Sequence, residues 1–214
     1  MNRYATELIG TFFLVLTVAL TVMGGTPLAP LAIGSALMVM VYMGGHISGG
    51  HYNPAVTVAV RLRGAMAPSD FLPYILAQCL GGILAAFAAA HIMGDTLAVA
   101  PAADAGMVAV LLSEFLFTFA LCLVVLNTAT ADETSGNSYF GLAIGFTVMI
   151  GAFSVGGVSG GAFNPAVGTG PILVDALIGG GGFGSFWIYW VAPVLGGVAA
   201  ASVFSFQHPA TPDA

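Results

Sequence analysis

Two short polar stretches interrupt an otherwise apolar chain of 214 residues, 111 positions apart. Residues 48–56 read SGGHYNPAV and residues 159–167 read SGGAFNPAV. Proline suits the first position of a helix, where its fixed φ is favourable and its missing N–H costs nothing. The asparagine before it, Asn53 or Asn164, is a favoured N-cap whose side-chain oxygen accepts a first-turn N–H. Each stretch therefore predicts a helix start that points an amide NH₂ donor outward.

The same helix starts also predict an electrostatic preference. A helix N-terminus carries about +0.5 charge. Two such ends that meet would form a positive region with two donors, which suits an oxygen lone pair and repels a cation. The pairs Gly49-Gly50 and Gly160-Gly161 allow extended backbone, which membrane proteins tolerate only where protein buries it or where it lines a wet cavity.

The composition indicates that the elements around these stretches lie in a lipid bilayer. Hydrophobic residues make up 58% of the chain and charged residues only 6%, against roughly 25% charged in soluble domains. Nine acidic residues face three arginines and no lysine, so the chain has no basic patch for a nucleic acid. Cys79 and Cys122 both lie in apolar runs and are expected to be single buried thiols.

Six apolar segments are about long enough to span a bilayer, which takes about 20 residues. Two further segments, 48–62 and 159–178, are only moderately apolar and Gly-rich at the start, and the helix that each can form is too short to cross. A helix from Pro54 to about Arg61 would rise only about 12 Å, less than half of a hydrocarbon core of roughly 30 Å. The six predicted spans are 5–24, 30–47, 70–93, 106–128, 139–157 and 183–206.

An internal repeat relates the two halves of what we expect to be one membrane domain, 1–214. Glu7 and Glu114 each follow a hydroxyl residue at the start of a similar apolar run, and each precedes its Asn-Pro-Ala motif by about the same distance. The predicted repeats are 1–103 and 104–214. Three crossings in each would invert the second repeat, and paired short segments in inverted repeats mark a site near the midplane.

The arginines predict the orientation in the membrane. Arg3 precedes the first span, and Arg61 and Arg63 follow the first short segment, two crossings later. All three are expected on one side, which the positive-inside rule makes cytoplasmic, together with both termini. For a bacterial source this membrane would be the plasma (inner) membrane.

The residues resemble the aquaporin and glycerol-facilitator, or major intrinsic protein, family over nearly the whole chain. The resemblance rests on both Asn-Pro-Ala stretches with their flanks, on Glu7 and Glu114, on AQCLGG at 77–82 and on WIYWVAPVLGG at 187–197. It implies an all-α fold: a right-handed bundle of six transmembrane helices plus two re-entrant half-helices. It also implies a homotetramer with one pore per subunit.

The resemblance further implies passive, single-file conduction of water and small neutral solutes, with no enzymatic activity, metal or cofactor. Asn53 and Asn164 would be the central donors, and Glu7 and Glu114 would brace the two loops. His51 would have a structural hydrogen-bonding role rather than act as a pH gate. The backbone carbonyls that line the pore would be those of Gly49, Gly50, His51, Gly160, Gly161 and Ala162.

One position departs from the family pattern. Family members usually carry an arginine of the outer selectivity filter where this chain has Val167. By spacing, the other filter positions are Ile33, Gly161 and Ala152, with Gly151 as the alternative to Ala152. This set predicts a wide, apolar outer filter that passes water, glycerol, urea or metalloid hydroxides such as arsenite, unless a side chain of the loop 94–105 fills the space.

An ion-coupled secondary transporter is the alternative function, because inverted repeats with broken helices also build transporters. Ion coupling normally needs ionisable groups near the midplane, and none stands beside the asparagine motifs. The sequence also has no pair of metal-ligating histidines and no nucleophile–base pattern. These observations favour a passive channel over both a transporter and an enzyme.

Overall fold

The computed structural model of the chain describes residues 1–209, and the predicted domain's last five residues, 210–214, lie outside the described part. Within it, the chain forms eight α-helices, six long and two short, besides four 3₁₀ or π segments of three to five residues. The long helices are α1 Asn2–Met23, α2 Ala29–Ser48, α4 Phe71–Met93, α5 Met107–Val125, α6 Phe140–Ser159 and α8 Ile188–Gln207. The short helices are α3 Pro54–Arg63 and α7 Pro165–Val174.

The predicted fold, six spanning helices with two half-helices, is confirmed. Five of the predicted spans begin and end within about three residues of the observed helices, while the sixth begins at Ile188 instead of 183. The delay has a local cause: Gly180 adopts a left-handed conformation, and two glycines stand at 181 and 182 just before the predicted start. Glycine loses more conformational freedom in a helix than any other residue.

Each half-helix packs against a long helix of the other half of the chain. α1 packs against α2 and α4, α5 packs against α6 and α8, and α2 meets α6 between them. The short helix α3 lies against α8, and α7 lies against α4. The two halves are therefore interlocked through their short helices.

Glycines make these crossings close. A Cβ on Gly82 of α4 would lie 2.7 Å from the carbonyl oxygen of Ala166 in α7. A Cβ on Gly197 of α8 would lie 2.6 Å from the carbonyl oxygen of Ala55 in α3. Small residues at helix contacts in membranes allow this approach of one backbone to another.

The outer surface is apolar along its helices. On α4, leucines at every fourth position are 44–60% exposed, so they form one stripe on one face. All six long helices are long and apolar enough to cross a membrane. An exposed leucine stripe of this kind suits lipid and would be unfavourable in water. The stripe consists of Leu72, Leu76, Leu80 and Leu84.

Candidate pore

Both asparagines cap the half-helices that they precede. The Asn53 Oδ1 atom accepts a hydrogen bond from the Ala55 N–H at 2.8 Å, and the Asn164 Oδ1 atom accepts one from the Ala166 N–H at 2.9 Å. Both asparagines have extended backbone, with φ of −157° and −159°. This is the N-cap geometry, which orients the rest of each amide.

Each amide also ties its half-helix to the opposite loop. The Asn53 Nδ2 atom donates to the carbonyl oxygen of Phe163 at 2.9 Å, and the Asn164 Nδ2 atom donates to that of Tyr52 at 2.9 Å. An amide nitrogen carries two hydrogens, so one hydrogen on each asparagine joins the loops and the second remains. The sequence predicted one N–H donor aimed outward by each asparagine, and it did not predict this reciprocal contact.

The two loops share one backbone path. Gly49 and Gly160 both have φ of 90°, and the glycines that follow them have φ of 64° and 62°. Tyr52 and Phe163 are left-handed as well, with φ of 49° and 48°. Such a conformation is strained for a non-glycine residue and persists where its surroundings hold it.

The Glu7 side chain accepts four hydrogen bonds, three of them from residues of the first loop and the end of α2. Its Oε1 atom accepts hydrogen bonds from the Ser48 hydroxyl at 2.6 Å and the His51 N–H at 3.0 Å. Its Oε2 atom accepts bonds from the Tyr52 N–H at 2.7 Å and the Gln78 side chain at 2.8 Å. The carboxyl group is fully buried, so these four donors compensate its removal from water.

Glu114 holds the second loop with one donor fewer. It accepts hydrogen bonds from the Ser159 hydroxyl at 2.7 Å, the Ala162 N–H at 3.1 Å and the Phe163 N–H at 2.7 Å. Its side chain is also fully buried. Pro193, in APVLGG, stands where AQCLGG of the first half has Gln78. The hydrogen bonds of Glu7 and Glu114 are therefore equivalent, except that only Glu7 accepts one from a glutamine side chain.

Two tyrosines complete the support of the loops and were missed from the sequence. The Tyr74 hydroxyl donates to the carbonyl oxygen of Ser48 at 2.7 Å, and the Tyr189 hydroxyl donates to that of Ser159 at 2.7 Å. Both tyrosines are at most 3% exposed. The internal repeat could have indicated them, because Tyr74 stands four residues before Gln78 and Tyr189 stands four residues before the equivalent Pro193.

The predicted pore carbonyls are free of protein partners. Within residues 1–209, no hydrogen bond from a side chain, turn or loop ends on these six oxygens. The flanking carbonyl oxygens differ, because each accepts a hydrogen bond from a side chain. These are the oxygens of Ser48 and Tyr52 in the first loop and of Ser159 and Phe163 in the second. Three of the six residues, Gly50, His51 and Ala162, are buried, and a buried carbonyl without a partner needs water or a ligand. The six oxygens belong to Gly49, Gly50, His51, Gly160, Gly161 and Ala162.

The asparagines line a narrow central cavity that shares lining residues with two wider cavities, one toward each end of the bundle. The central cavity measures about 30 Å³, which admits about two water molecules. One wider cavity, of about 380 Å³, contains Arg3 and lies at the end of the bundle where α1 begins and α3 ends; we call it the arginine-side mouth. The other, of about 340 Å³, is lined by residues of the loop 94–105 and is called the opposite mouth.

The predicted filter residues lie around the opposite mouth. Ile33, Gly161 and Val167 line both the central cavity and this mouth, and Ala152 lines the mouth. Gly151 points elsewhere, since a Cβ there would come within 3 Å of the Phe117 and Phe163 rings. The loop contributes only apolar side chains, Leu97 to Ala100.

His51 lies at the other end of the central cavity, where it opens into the arginine-side mouth. Its Nδ1 atom lies 3.1 Å from the Thr57 hydroxyl, which also accepts a hydrogen bond from Gln78 at 2.9 Å. A structural hydrogen-bonding role for His51 was predicted from the resemblance. The hydrogen bonds that link His51 to Gln78 through Thr57 were not predicted.

Within residues 1–209, no group of three or more histidine, cysteine or acidic side chains is placed to hold a metal ion. Cys79 and Cys122 are both free thiols.

The comparison with known proteins identifies the family. Residues 1–204 match the sequence profile of the family described as "Major intrinsic protein". The chain belongs to the major intrinsic protein family. It is an integral membrane protein, as its six apolar helices indicate.

Relatives in this family carry the names of aquaporins and glycerol facilitators. The chain is 36% identical to "Glycerol uptake facilitator protein-like 6" of Lactiplantibacillus plantarum, over 94% of this chain and 95% of that protein. It is 34% identical to "Aquaporin Z" of Rhodopseudomonas palustris, over 97% and 94% of the two chains. It is 35% identical to "Aquaporin NIP1-1" of Zea mays, over 96% of this chain and 74% of the maize protein.

A solved structure confirms the fold of this family member. The aquaglyceroporin from Plasmodium falciparum aligns with a TM-score of 0.81, over 95% of this chain and 94% of the other, at 20% sequence identity.

Proposed function

We propose that this member of the major intrinsic protein family is a passive channel for water and small uncharged solutes. One observation carries the proposal: two capped helix starts meet at a narrow cavity and each presents an amide donor, from Asn53 and Asn164, to its interior. Helix N-termini attract lone pairs and repel cations. The names of the relatives, aquaporins and glycerol facilitators, support the same function.

The apolar walls support a channel over an ion-coupled transporter. No acidic or basic side chain other than His51 lines the central cavity within the described residues. The hydrogen bonds of Glu7 and Glu114 to the loops support a bracing role for both carboxylates. Ion coupling would need an ionisable group that the passing ion can reach.

The outer filter of the channel, in this proposal, is wide and apolar and consists of Ile33, Ala152, Gly161 and Val167. None of the four is charged or aromatic. The filter would pass glycerol, urea or metalloid hydroxides such as arsenite together with water. The unpaired carbonyls of the two loops would replace the water that such a solute sheds.

The proposed assembly is a homotetramer with one pore in each subunit. We propose that repeats 1–103 and 104–214 cross the membrane in opposite senses, with both termini and the arginine-side mouth in the cytoplasm. The plasma membrane of a bacterium, the inner membrane, is the proposed location. Arg3, Arg61 and Arg63 support this orientation through the positive-inside rule.

Osmotic swelling of proteoliposomes tests the function. Vesicles with the purified protein should swell in gradients of water, glycerol, urea and arsenite faster than empty vesicles, without a proton leak. Saturable, gradient-driven uptake with no swelling would establish a transporter instead.

The substitution Val167→Arg tests the wide outer filter. An arginine would occupy the opposite mouth and add a fixed charge, so the ratio of glycerol to water permeability should fall about tenfold, equivalent to roughly 1.4 kcal/mol in barrier height. Val167→Leu, which adds volume without charge, is the control and should lower the ratio less. An unchanged ratio in Val167→Arg would show that Val167 does not line the constriction.

A further inference from the structure

The side chains around the central cavity come in matched pairs from the two halves of the chain. Two pairs follow Glu7 and Glu114, at seven and eleven residues after each glutamate. A third pair precedes Ser48 and Ser159 by fifteen residues, and a fourth follows Asn53 and Asn164 by three. In each pair, the two halves of the chain carry the same residue type. Both members of every pair line the cavity. The pairs are Leu14 with Leu121, Val18 with Val125, Ile33 with Ile144 and Val56 with Val167.

Two further pairs differ between the halves. Leu37 and Val148, each eleven residues before a loop serine, are both aliphatic and differ only in size. The other pair differs in polarity. The residue two positions before the first asparagine is His51, and its counterpart in the second half is Ala162. Both line the central cavity. Apart from the two asparagines, His51 is the one polar side chain among the described residues around it. The two ends of the cavity thus differ in chemistry mainly through this histidine.

The histidine lies at a junction. His51 and Val125 line both the central cavity and the arginine-side mouth, just as Ile33 and Val167 line both the central cavity and the opposite mouth. A solute therefore passes only apolar side chains at the opposite junction and an imidazole at the arginine-side junction. The imidazole is larger than the methyl group of its counterpart, Ala162, and His51 is only 8% exposed.

The partners of His51 leave one ring nitrogen for a solute. The Thr57 hydroxyl has a single proton, and it donates this proton to the carbonyl oxygen of Asn53 at 3.1 Å. With that proton used, the oxygen is left as an acceptor, so we assign the ring hydrogen of His51 to Nδ1, 3.1 Å away, and the lone pair to Nε2. No residue in the described part of the chain donates to Nε2. Gln78, which donates to both Thr57 and Glu7, fixes this arrangement.

We propose that His51 is the specificity-determining residue of this channel and that discrimination among neutral solutes takes place at the arginine-side junction. With valine at position 167, the opposite junction offers neither a charge nor a polar side chain. The imidazole narrows the arginine-side junction, and Nε2 accepts a hydrogen bond from a solute that brings an O–H or N–H donor. This inference rests on the proposed channel function and concerns the same pore.

Permeability ratios in proteoliposomes test the proposal. His51→Ala should raise the ratio of glycerol to water permeability about fivefold, and Ile33→Ala, at the opposite junction, should raise it less. His51→Gln retains a polar side chain of similar reach and should stay within about twofold of the wild type. His91→Ala is the matched control, because His91 is an exposed residue near the end of α4, and it should leave the ratio unchanged.

The outcomes separate the two proposals. A larger change in Ile33→Ala than in His51→Ala would overturn the role of His51 while leaving the channel intact. Wild-type vesicles that pass no water faster than empty ones would overturn the channel function itself.

A second measurement uses the folded wild-type protein, so it does not depend on the stability of His51→Ala. Diethyl pyrocarbonate acylates an accessible imidazole nitrogen and would enlarge the side chain at the junction. Glycerol permeation should fall in the wild type, recover when hydroxylamine removes the acyl group, and stay unaffected in His51→Gln. Equal inhibition of the wild type and His51→Gln, or no inhibition of either, would contradict the proposal.

Discussion

At the scale of single residues, two buried carboxylates accept hydrogen bonds from the two loops beside the central cavity. Glu7 and Glu114 each reach the backbone N–H groups of two consecutive loop residues, the second of which is Tyr52 or Phe163 in a left-handed conformation. The N–H groups of these residues have no helix or strand to bond to. The carboxylates therefore satisfy the backbone at the points where it departs from regular structure, which a buried backbone requires.

Replacing either glutamate with glutamine should destabilise the protein. An amide keeps one acceptor oxygen but turns an NH₂ group toward an N–H donor, so at least one buried group loses its partner, at a cost of about 1–3 kcal/mol. The free energy of unfolding of Glu7→Gln and Glu114→Gln, measured in mixed micelles with an increasing fraction of a denaturing detergent, should show this loss.

The exposed Glu133→Gln is the control for this pair and should change the free energy of unfolding by less than about 0.5 kcal/mol, because its side chain is 72% exposed. Wild-type stability in both buried variants would show that the carboxylates do not brace the loops.

At the scale of elements, the positions of the two half-helices depend on two equivalent glycine contacts, one in each half of the chain. Gly82 of α4 faces the carbonyl oxygen of Ala166, and Gly197 of α8 faces that of Ala55. Each contact lies two residues past an N-capping asparagine, so it fixes the position of the helix start. The location of the central cavity therefore depends on α4 and α8, which do not line it.

The substitution Gly82→Ala should displace α7 and destabilise the protein. The added Cβ would meet a backbone oxygen at 2.7 Å, and backbone yields less than a flexible side chain, so we expect a loss of about 1–3 kcal/mol. Gly157→Ala in α6 is the matched control, since a Cβ there meets nothing within 4 Å and alanine favours a helix over glycine. Thermal unfolding in detergent distinguishes them, and equal melting temperatures would refute the close crossing.

The orientation of the whole molecule in the membrane is open to a labelling experiment. Ala103 lies in the loop between α4 and α5, and Ser135 lies in the loop between α5 and α6, and both are exposed. In a chain with Cys79 and Cys122 replaced by alanine, an impermeant maleimide added to intact cells should label Ala103→Cys but not Ser135→Cys.

Opening the membranes should make both cysteines reactive and so provides the control. The reverse pattern in intact cells would place the arginine-side mouth outside the cytoplasm and contradict the proposed orientation.

The sequence by itself determined the elements and their number. Apolar length predicted six spans, and the Asn-Pro pairs predicted two capped half-helices, because both features depend on neighbouring residues and on the thickness of a bilayer. The boundary at Ile188 was the exception, since hydropathy does not register the flexibility of the glycines before it.

Only the tertiary structure decided which groups meet. Asn53 bonds to the carbonyl oxygen of Phe163, 110 positions away, and no local pattern encodes a contact between distant loops. The rotation of α6 about its axis turns Ala152, and not Gly151, toward the opposite mouth, and that rotation is set by packing against neighbouring helices. The environment of His51 likewise depends on α3 and α4 approaching each other, which follows from side-chain contacts across the fold and not from sequence spacing.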